Sequence, residues 1–195
     1  MSGKETRQRI LDAAFELISE KGYARASVSD ICKMVGITKP SLYYYFDSKE
    51  EILLTLLESL YINKGDILSR MPEKMTKASF TQGLLLIGDD IIKSFEDDDV
   101  NRKFLAEIDV LRTRMPALSE YHQETFDMIL SDFEIYLNAG DKAGLMKKGF
   151  DVKLHAQELY VVMTGLSHAS LNEEDVDLKG VWTSTVNDMV GTWQR

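Results

Sequence analysis

Between Lys39 and Phe46 the chain carries one ammonium and four hydroxyl groups, on Lys39, Ser41, Tyr43, Tyr44 and Tyr45. Thr38 stands just before them and a second ammonium, Lys49, just after. These are hydrogen-bond donors without a nucleophile's partners. Donors of this kind, crowded on one short segment, suit phosphate oxygens and base edges. Catalytic spacings are lacking: there is no Ser/His/Asp arrangement, no glycine-rich phosphate loop, and no carboxylate pair with a plausible partner. The chain therefore reads as a binding protein, not an enzyme. His122, His155 and His168 are isolated, and Cys32 is the one cysteine, so neither a metal cluster nor an internal disulfide is expected, nor any cofactor.

To present those donors, the chain needs a short rigid helix. Residues 27–46, SVSDICKMVGITKPSLYYYF, supply one. A seven-residue helix from about Ser29, a turn at Gly36 and a second helix from Thr38 to about Phe46 make a helix-turn-helix. Ile31, Val35, Ile37 and Leu42 can then share a core with a preceding helix, Thr6 to Lys21, whose Ile10, Ala14, Leu17 and Ile18 form one stripe. Gly36 suits a turn position of positive φ, Thr38 an N-cap, and Pro40 the first turn of a helix. Three consecutive tyrosines cannot all face one core at 3.6 residues per turn, so at least one points outward.

The rest of the chain also reads as helix, about nine in all, with three prolines in 195 residues and no convincing alternation of apolar and polar positions. Expected helices run over 49–70, 77–95, 100–114, 118–139, 152–171 and 178–193, with Gly140, Gly144 and Gly149 marking a loosened connection. The fold class is all-α: a three-helix domain over 1–48 followed by a helical domain over 49–195. The net charge of −9 is unevenly spread. Residues 1–50 carry eight Lys/Arg against seven Asp/Glu, while the remainder carries fifteen against twenty-five. Phosphates respond to the field at the docking face, so an acidic rear domain is compatible with nucleic acid. Asp89, Asp90 and the acidic run 96–99 read as solvated. No apolar run approaches the ~20 residues of a membrane helix, and MSGKETRQR lacks the apolar core of a signal peptide, which predicts a cytoplasmic protein away from the membrane.

The motifs RQRILDAAFELISEKGY and SVSDICKMVGITKPSLYYYFDSKEEIL, over residues 7–58, resemble the DNA-binding domain of the TetR family of helix-turn-helix repressors. The family typically shows Ile-Leu-x-Ala-Ala, Gly-Tyr/Phe, and a Gly-Val-Ser-Lys-Gly-x-Leu-Tyr-x-His-Phe helix followed by Ser-Lys-Glu; here stand Gly36-Ile37-Thr38-Lys39-Pro40-Ser41-Leu42-Tyr43-Tyr44-Tyr45-Phe46 and Ser48-Lys49-Glu50. Tyr45, Pro40 and Cys32 depart from its commonest residues. Cys32 is expected to pack as a small hydrophobe. The resemblance implies base or adjoining phosphate contacts for Lys39, Pro40, Ser41 and Tyr43, with Thr38 at the same end of the helix. It implies DNA-backbone contacts for Tyr44, Tyr45 and Lys49, and a phosphate near Ser27 and Ser29 at the start of the preceding helix.

It further implies a transcriptional repressor that binds a palindromic operator as a homodimer and is released by a small-molecule effector. Residues with which the rear domain could line an apolar, aromatic cavity are Tyr61, Phe80, Leu84, Ile87, Phe104, Ile108, His122, Phe126, Ile129 and Tyr160, which suits a largely hydrophobic effector. The same side chains could instead be plain core. The last two helices are apolar on more than one face. Leu159, Val162, Met163 and Leu166, with Val181, Trp182, Thr185, Val186, Met189 and Trp193, are the expected dimer interface. The alternative function is a helical protein-binding adaptor that does not touch DNA.

Overall fold

The computed structural model describes residues 3–62, 67–96, 99–172 and 174–194, apart from the side chains of 60–62, 91, 94–96 and 99. The described residues form nine α-helices: α1 (Gly3–Lys21), α2 (Val28–Val35), α3 (Lys39–Tyr43), α4 (Lys49–Ile62), α5 (Lys77–Glu96), α6 (Asp99–Arg112), α7 (Pro116–Lys142), α8 (Val152–Leu171) and α9 (Leu178–Trp193). A 3₁₀ turn covers Ile67–Arg70, and the extended pairing is one isolated bridge between Met146 and Gln194. The architecture is all-α. Where 49–70 reads as one α-helix in sequence, α4 is described over Lys49–Ile62, and Ile67–Arg70 is a 3₁₀ turn with Ile67 buried.

Residues 1–63 together with 98–118 make one compact unit, and 64–97 with 119–195 make the other. In the first, α1 is the central element and packs on α2, α4 and α6. Its stripe of Ile10, Ala14, Leu17 and Ile18 is buried, as are Ile31, Val35, Leu42, Ile52 and Leu53 around it. The rings of Phe15 on α1 and Phe104 on α6 lie 5.0 Å apart. Each fully buried Ile, Leu, Val or Phe side chain among them contributes about 1.5–3 kcal/mol relative to exposure.

In the second unit, α5 packs against α8 and α9, and its stripe of Phe80, Leu84 and Ile87 joins Phe133, Tyr136, Leu159, Met163, Trp182 and Val186 in one core. The Trp182 indole N–H donates to the Leu84 carbonyl oxygen over 3.2 Å, which satisfies the ring's polar atom inside the core. Gly140 does not loosen the chain. It is buried inside α7, where a Cβ would come within 2.6 Å of both Phe80 and Met146. The last helical residue docks back on the connection between α7 and α8, with the Lys147 N–H donating to the Trp193 carbonyl oxygen at 2.8 Å.

Burial in the single protomer divides the residues expected at the dimer surface. Leu159, Met163, Leu166, Trp182, Val186 and Trp193 are buried in the protomer's own core. The reason is that the broader apolar stripe of each helix is already taken by α5. Val162 and Met189 are half-buried against the same core, Thr185 is half-buried, and Val181 is 42% exposed. Val161, which helical periodicity does not single out, is 64% exposed. Asp89 and Asp90 are not free solvated carboxylates: Asp90 accepts from Arg70 Nε at 2.8 Å, and Lys179 Nζ stands 3.7 Å from Asp89.

Candidate nucleic-acid interface

The α2–α3 pair is built by local hydrogen bonds at every joint. Ser27 caps α2: its hydroxyl oxygen accepts from the Asp30 N–H at 3.1 Å, and the Asp30 carboxylate accepts in return from the Ser27 N–H and hydroxyl. Those two bonds, with Lys21 and Lys33 nearby, hold the Asp30 carboxyl below its ordinary range. This is a capping box, with two orphan donors of the helix start satisfied reciprocally. Gly36 ends α2 at φ 76, with its N–H on the Cys32 carbonyl oxygen at 2.9 Å. A side chain there would face open space, so the glycine answers a demand of the backbone and not of packing. Thr38 then caps α3, accepting from the Ser41 N–H at 3.4 Å, with Pro40 in the first turn where no N–H is missed.

α3 is shorter than the sequence implies. Its regular part closes at Tyr43, and the Tyr45 and Phe46 N–H groups both turn back to the Leu42 carbonyl oxygen. This rotates Leu42 and Phe46 inward, both essentially fully buried, and leaves Lys39, Pro40, Tyr43 and Tyr44 outward. Tyr44 is 82% exposed and Tyr43 48%, a large aromatic surface turned away from the core. Tyr45 is half-buried and meets the Tyr44 ring edge-on at 5.0 Å. Ser41 is half-buried; Ser27 and Ser29 are exposed at the start of α2.

Basic groups divide into two sets. Arg9 Nη2 donates to the Val35 carbonyl oxygen, and the Arg7 guanidinium lies 4.7 Å from the Phe46 ring centroid, so both brace the helix-turn-helix from α1. Lys49 Nζ donates to the carbonyl oxygens of Tyr23 at 2.7 Å and Ala26 at 3.1 Å, and burial lowers its pKa. Lys4, Lys33 and Lys39 stay exposed. Only folding brings the start of α1 near the tyrosine segment: a Cβ on Gly3 would lie 3.7 Å from the Tyr45 hydroxyl. Cys32 is buried and its thiol is pushed up by that burial, the state of a packing residue.

The expected effector-lining residues divide between the two units. Phe80, Leu84 and Ile87 are core of the second unit, while Phe104 and Ile108 lie on α6 in the first. His122 is exposed on α7. Phe126 and Tyr160 meet edge-on at 4.8 Å, half-buried, with Ile129 packed against the core beside them. The side chain of Tyr61 lies outside the described residues.

A capped, glycine-turned helix pair with exposed lysine and tyrosines on its second member defines a helix-turn-helix DNA-binding regulator. Residues 10–56 match the model of the bacterial regulatory proteins of the tetR family. Over 186 residues, 93% of this chain and 92% of the other, the chain is 28% identical to the fatty acid metabolism regulator protein of Bacillus subtilis. It is 41% identical over 66 residues to the regulator EthR of Mycobacterium tuberculosis, covering 34% of this chain and 30% of that one. The solved structure of the Bacillus subtilis regulator FadR in complex with stearoyl-CoA superposes with a TM-score of 0.73 at 26% identity, covering 95% of this chain and 98% of the other. Residues 10–56 thus carry the DNA-binding domain of the TetR family, and over its full length the chain is similar to regulators of that family.

Proposed function

We propose that this regulator represses transcription by holding a palindromic operator through α3 of each copy in a homodimer, and lets go when a largely hydrophobic small molecule binds the helical domain behind. The working division is a DNA-reading domain over 1–48 and an effector and dimerisation domain over 49–195. The observation that carries the DNA half is the exposure of Tyr44 and Lys39 on a helix whose every joint is hydrogen-bonded. In this reading Thr38, Lys39, Pro40, Ser41 and Tyr43 meet bases or adjoining phosphates, and Tyr44 and Tyr45 meet the backbone. Ser27 and Ser29 place the start of α2 at a phosphate.

For the effector, the supporting observations are the half-buried Phe126, Ile129 and Tyr160 and the likeness to a regulator of fatty acid metabolism solved with stearoyl-CoA. A long-chain acyl thioester is the effector class we infer. The protein acts by binding alone, in the cytoplasm beside its DNA; among the described residues no helix is long and apolar enough to cross a membrane. The test is reciprocal linkage. Duplexes enriched from genomic fragments should lose affinity as stearoyl-CoA is added, and stearoyl-CoA should bind less tightly when the duplex is saturating, by the same factor. Equal stearoyl-CoA affinity with and without duplex refutes this effector class, and failure to enrich any fragment refutes the DNA reading.

A further inference from the structure

The loop 22–26, between the end of α1 and the cap of α2, is gripped by two oppositely charged side chains from elsewhere in the same unit. Glu107, on α6, accepts the Tyr23 N–H on Oε1 at 2.7 Å. Lys49, at the start of α4, donates to the Tyr23 carbonyl oxygen at 2.7 Å and to that of Ala26 at 3.1 Å, while its ammonium lies 4.0 Å from the centroid of the Tyr23 ring. Ala26 is fully buried and immediately precedes Ser27, the N-cap of α2. One residue, Tyr23, is thus held by its N–H, its C=O and its ring at once.

We infer that Glu107 and Lys49 are positioning residues that clamp Tyr23 and thereby fix the N-terminus of α2 in the orientation that meets a DNA phosphate. This rests on the reading that α2 and α3 dock on DNA. For Lys49 it replaces a phosphate contact with a structural one. An ammonium has three N–H donors. Two already point at carbonyl oxygens and the charge lies over an aromatic face, so little donor capacity is left for a phosphate. For Glu107 it adds a residue of α6 to the DNA-reading machinery, although α6 lies more than fifty residues beyond α3 in the chain. The charges suit their places: an anion takes an N–H, a cation takes carbonyl oxygens, and each bond is charge-assisted and stronger than a neutral one. The loop's own bonds, Arg25 N–H and Ala26 N–H to the Gly22 carbonyl oxygen at 3.2 and 3.1 Å, fold it into a tight turn but do not anchor it to α4 or α6. The clamp does.

The experiment uses the full-length chain and duplexes that the parent protein enriches from a random pool, with affinity measured across a salt series. A variant that gives up one phosphate interaction has a salt slope smaller by about one. Lys39→Ala should behave in that way. Lys49→Met should instead weaken binding about ten-fold at every salt with the slope unchanged, as expected when a charge-assisted bond in a positioning role is removed. Glu107→Gln keeps an acceptor oxygen but gives up the charge, and should weaken binding only about two-fold, with the slope unchanged. Glu107→Leu should bind about ten-fold more weakly, again without a change of slope, and its Tyr23 amide should exchange hydrogen faster. Glu107→Asp, one methylene too short, should fall between the two and carries the test if the leucine variant does not fold. A slope reduced by about one in Lys49→Met makes Lys49 a phosphate ligand and overturns its place in the clamp. Parent-like affinity and exchange in both Glu107→Leu and Glu107→Asp overturn the clamp as a whole. A parent that enriches no duplex overturns the docking reading and this inference with it, a result distinct from the other two.

Discussion

Tyr136 on α7 and Phe80 on α5 meet twice: their rings lie 5.2 Å apart, and the tyrosine hydroxyl donates to the Phe80 carbonyl oxygen at 2.9 Å. Gly83, one turn along α5, leaves room for that hydroxyl, since a Cβ there would collide with it. The Phe80 carbonyl, as a helix group, has a second acceptor direction, so removing the hydroxyl does not orphan it. Tyr136→Phe should therefore cost about 1 kcal/mol near neutral pH, within the usual range for one net hydrogen bond. Urea unfolding at constant slope would measure it.

The same phenol makes stability depend on alkaline pH. Burial pushes the Tyr136 hydroxyl up to about 12 from an ordinary 10.0. The folded state thus favours the neutral form more than the unfolded chain does. Its contribution is intact below pH 10 and is lost as pH rises toward 12, by about 3 kcal/mol in full. Parent and Tyr136→Phe should accordingly converge in stability above pH 10 and then cross. If their difference stays constant to pH 12, the phenol is not the titrating group.

At the turn of the helix-turn-helix, Gly36→Ala should cost about 1–2 kcal/mol, because φ 76 is the left-handed region and there is no collision to add to the strain. Gly36→Asn should cost less, since asparagine tolerates that conformation. Thermal unfolding of the three proteins should rank them glycine, asparagine, alanine; alanine above asparagine would remove the conformational argument.

On the DNA-facing surface, Tyr44→Ala should change stability by less than about 0.5 kcal/mol, as expected for an exposed residue, while weakening duplex binding several-fold. Tyr44→Phe isolates the hydroxyl. Weaker binding in both variants assigns the interaction to the phenol oxygen, and weaker binding in the alanine variant alone assigns it to the ring.

Valines on α8 and α9 that are alike in sequence should respond differently to a charge. Val181→Asp or Val161→Asp should split a dimer and leave a folded protomer, because both side chains face solvent in the single chain. Val186→Asp should instead lower the melting temperature of the protomer, since Val186 is fully buried in the α5–α8–α9 core and an unpaired buried charge is costly. Light scattering and thermal melts together separate the outcomes; a folded monomer from Val186→Asp would contradict the burial argument.

Local chemistry made the front of this protein legible in its sequence. Ser27, Gly36, Thr38 and Pro40 act on their own neighbours through caps and a left-handed turn, so their residue types announce what the backbone does there. The bounds of α8 and α9, with Asp151 and Asp177 as side-chain caps at their starts, were equally local. Which of two apolar faces on those helices turns inward was not, because periodicity marks a face as apolar without saying what covers it. Tertiary structure turned Trp182 and Val186 toward α5 and Val161 toward solvent. It likewise sent Phe104 to Phe15 and Glu107 to Tyr23, pairings across more than eighty residues that no local pattern encodes. Lys49 shows the division most plainly. Its place in a Ser-Lys-Glu motif suggested a donor for DNA, and only the fold shows its ammonium already held by two carbonyl oxygens, since partners brought by a chain reversal leave no trace in spacing.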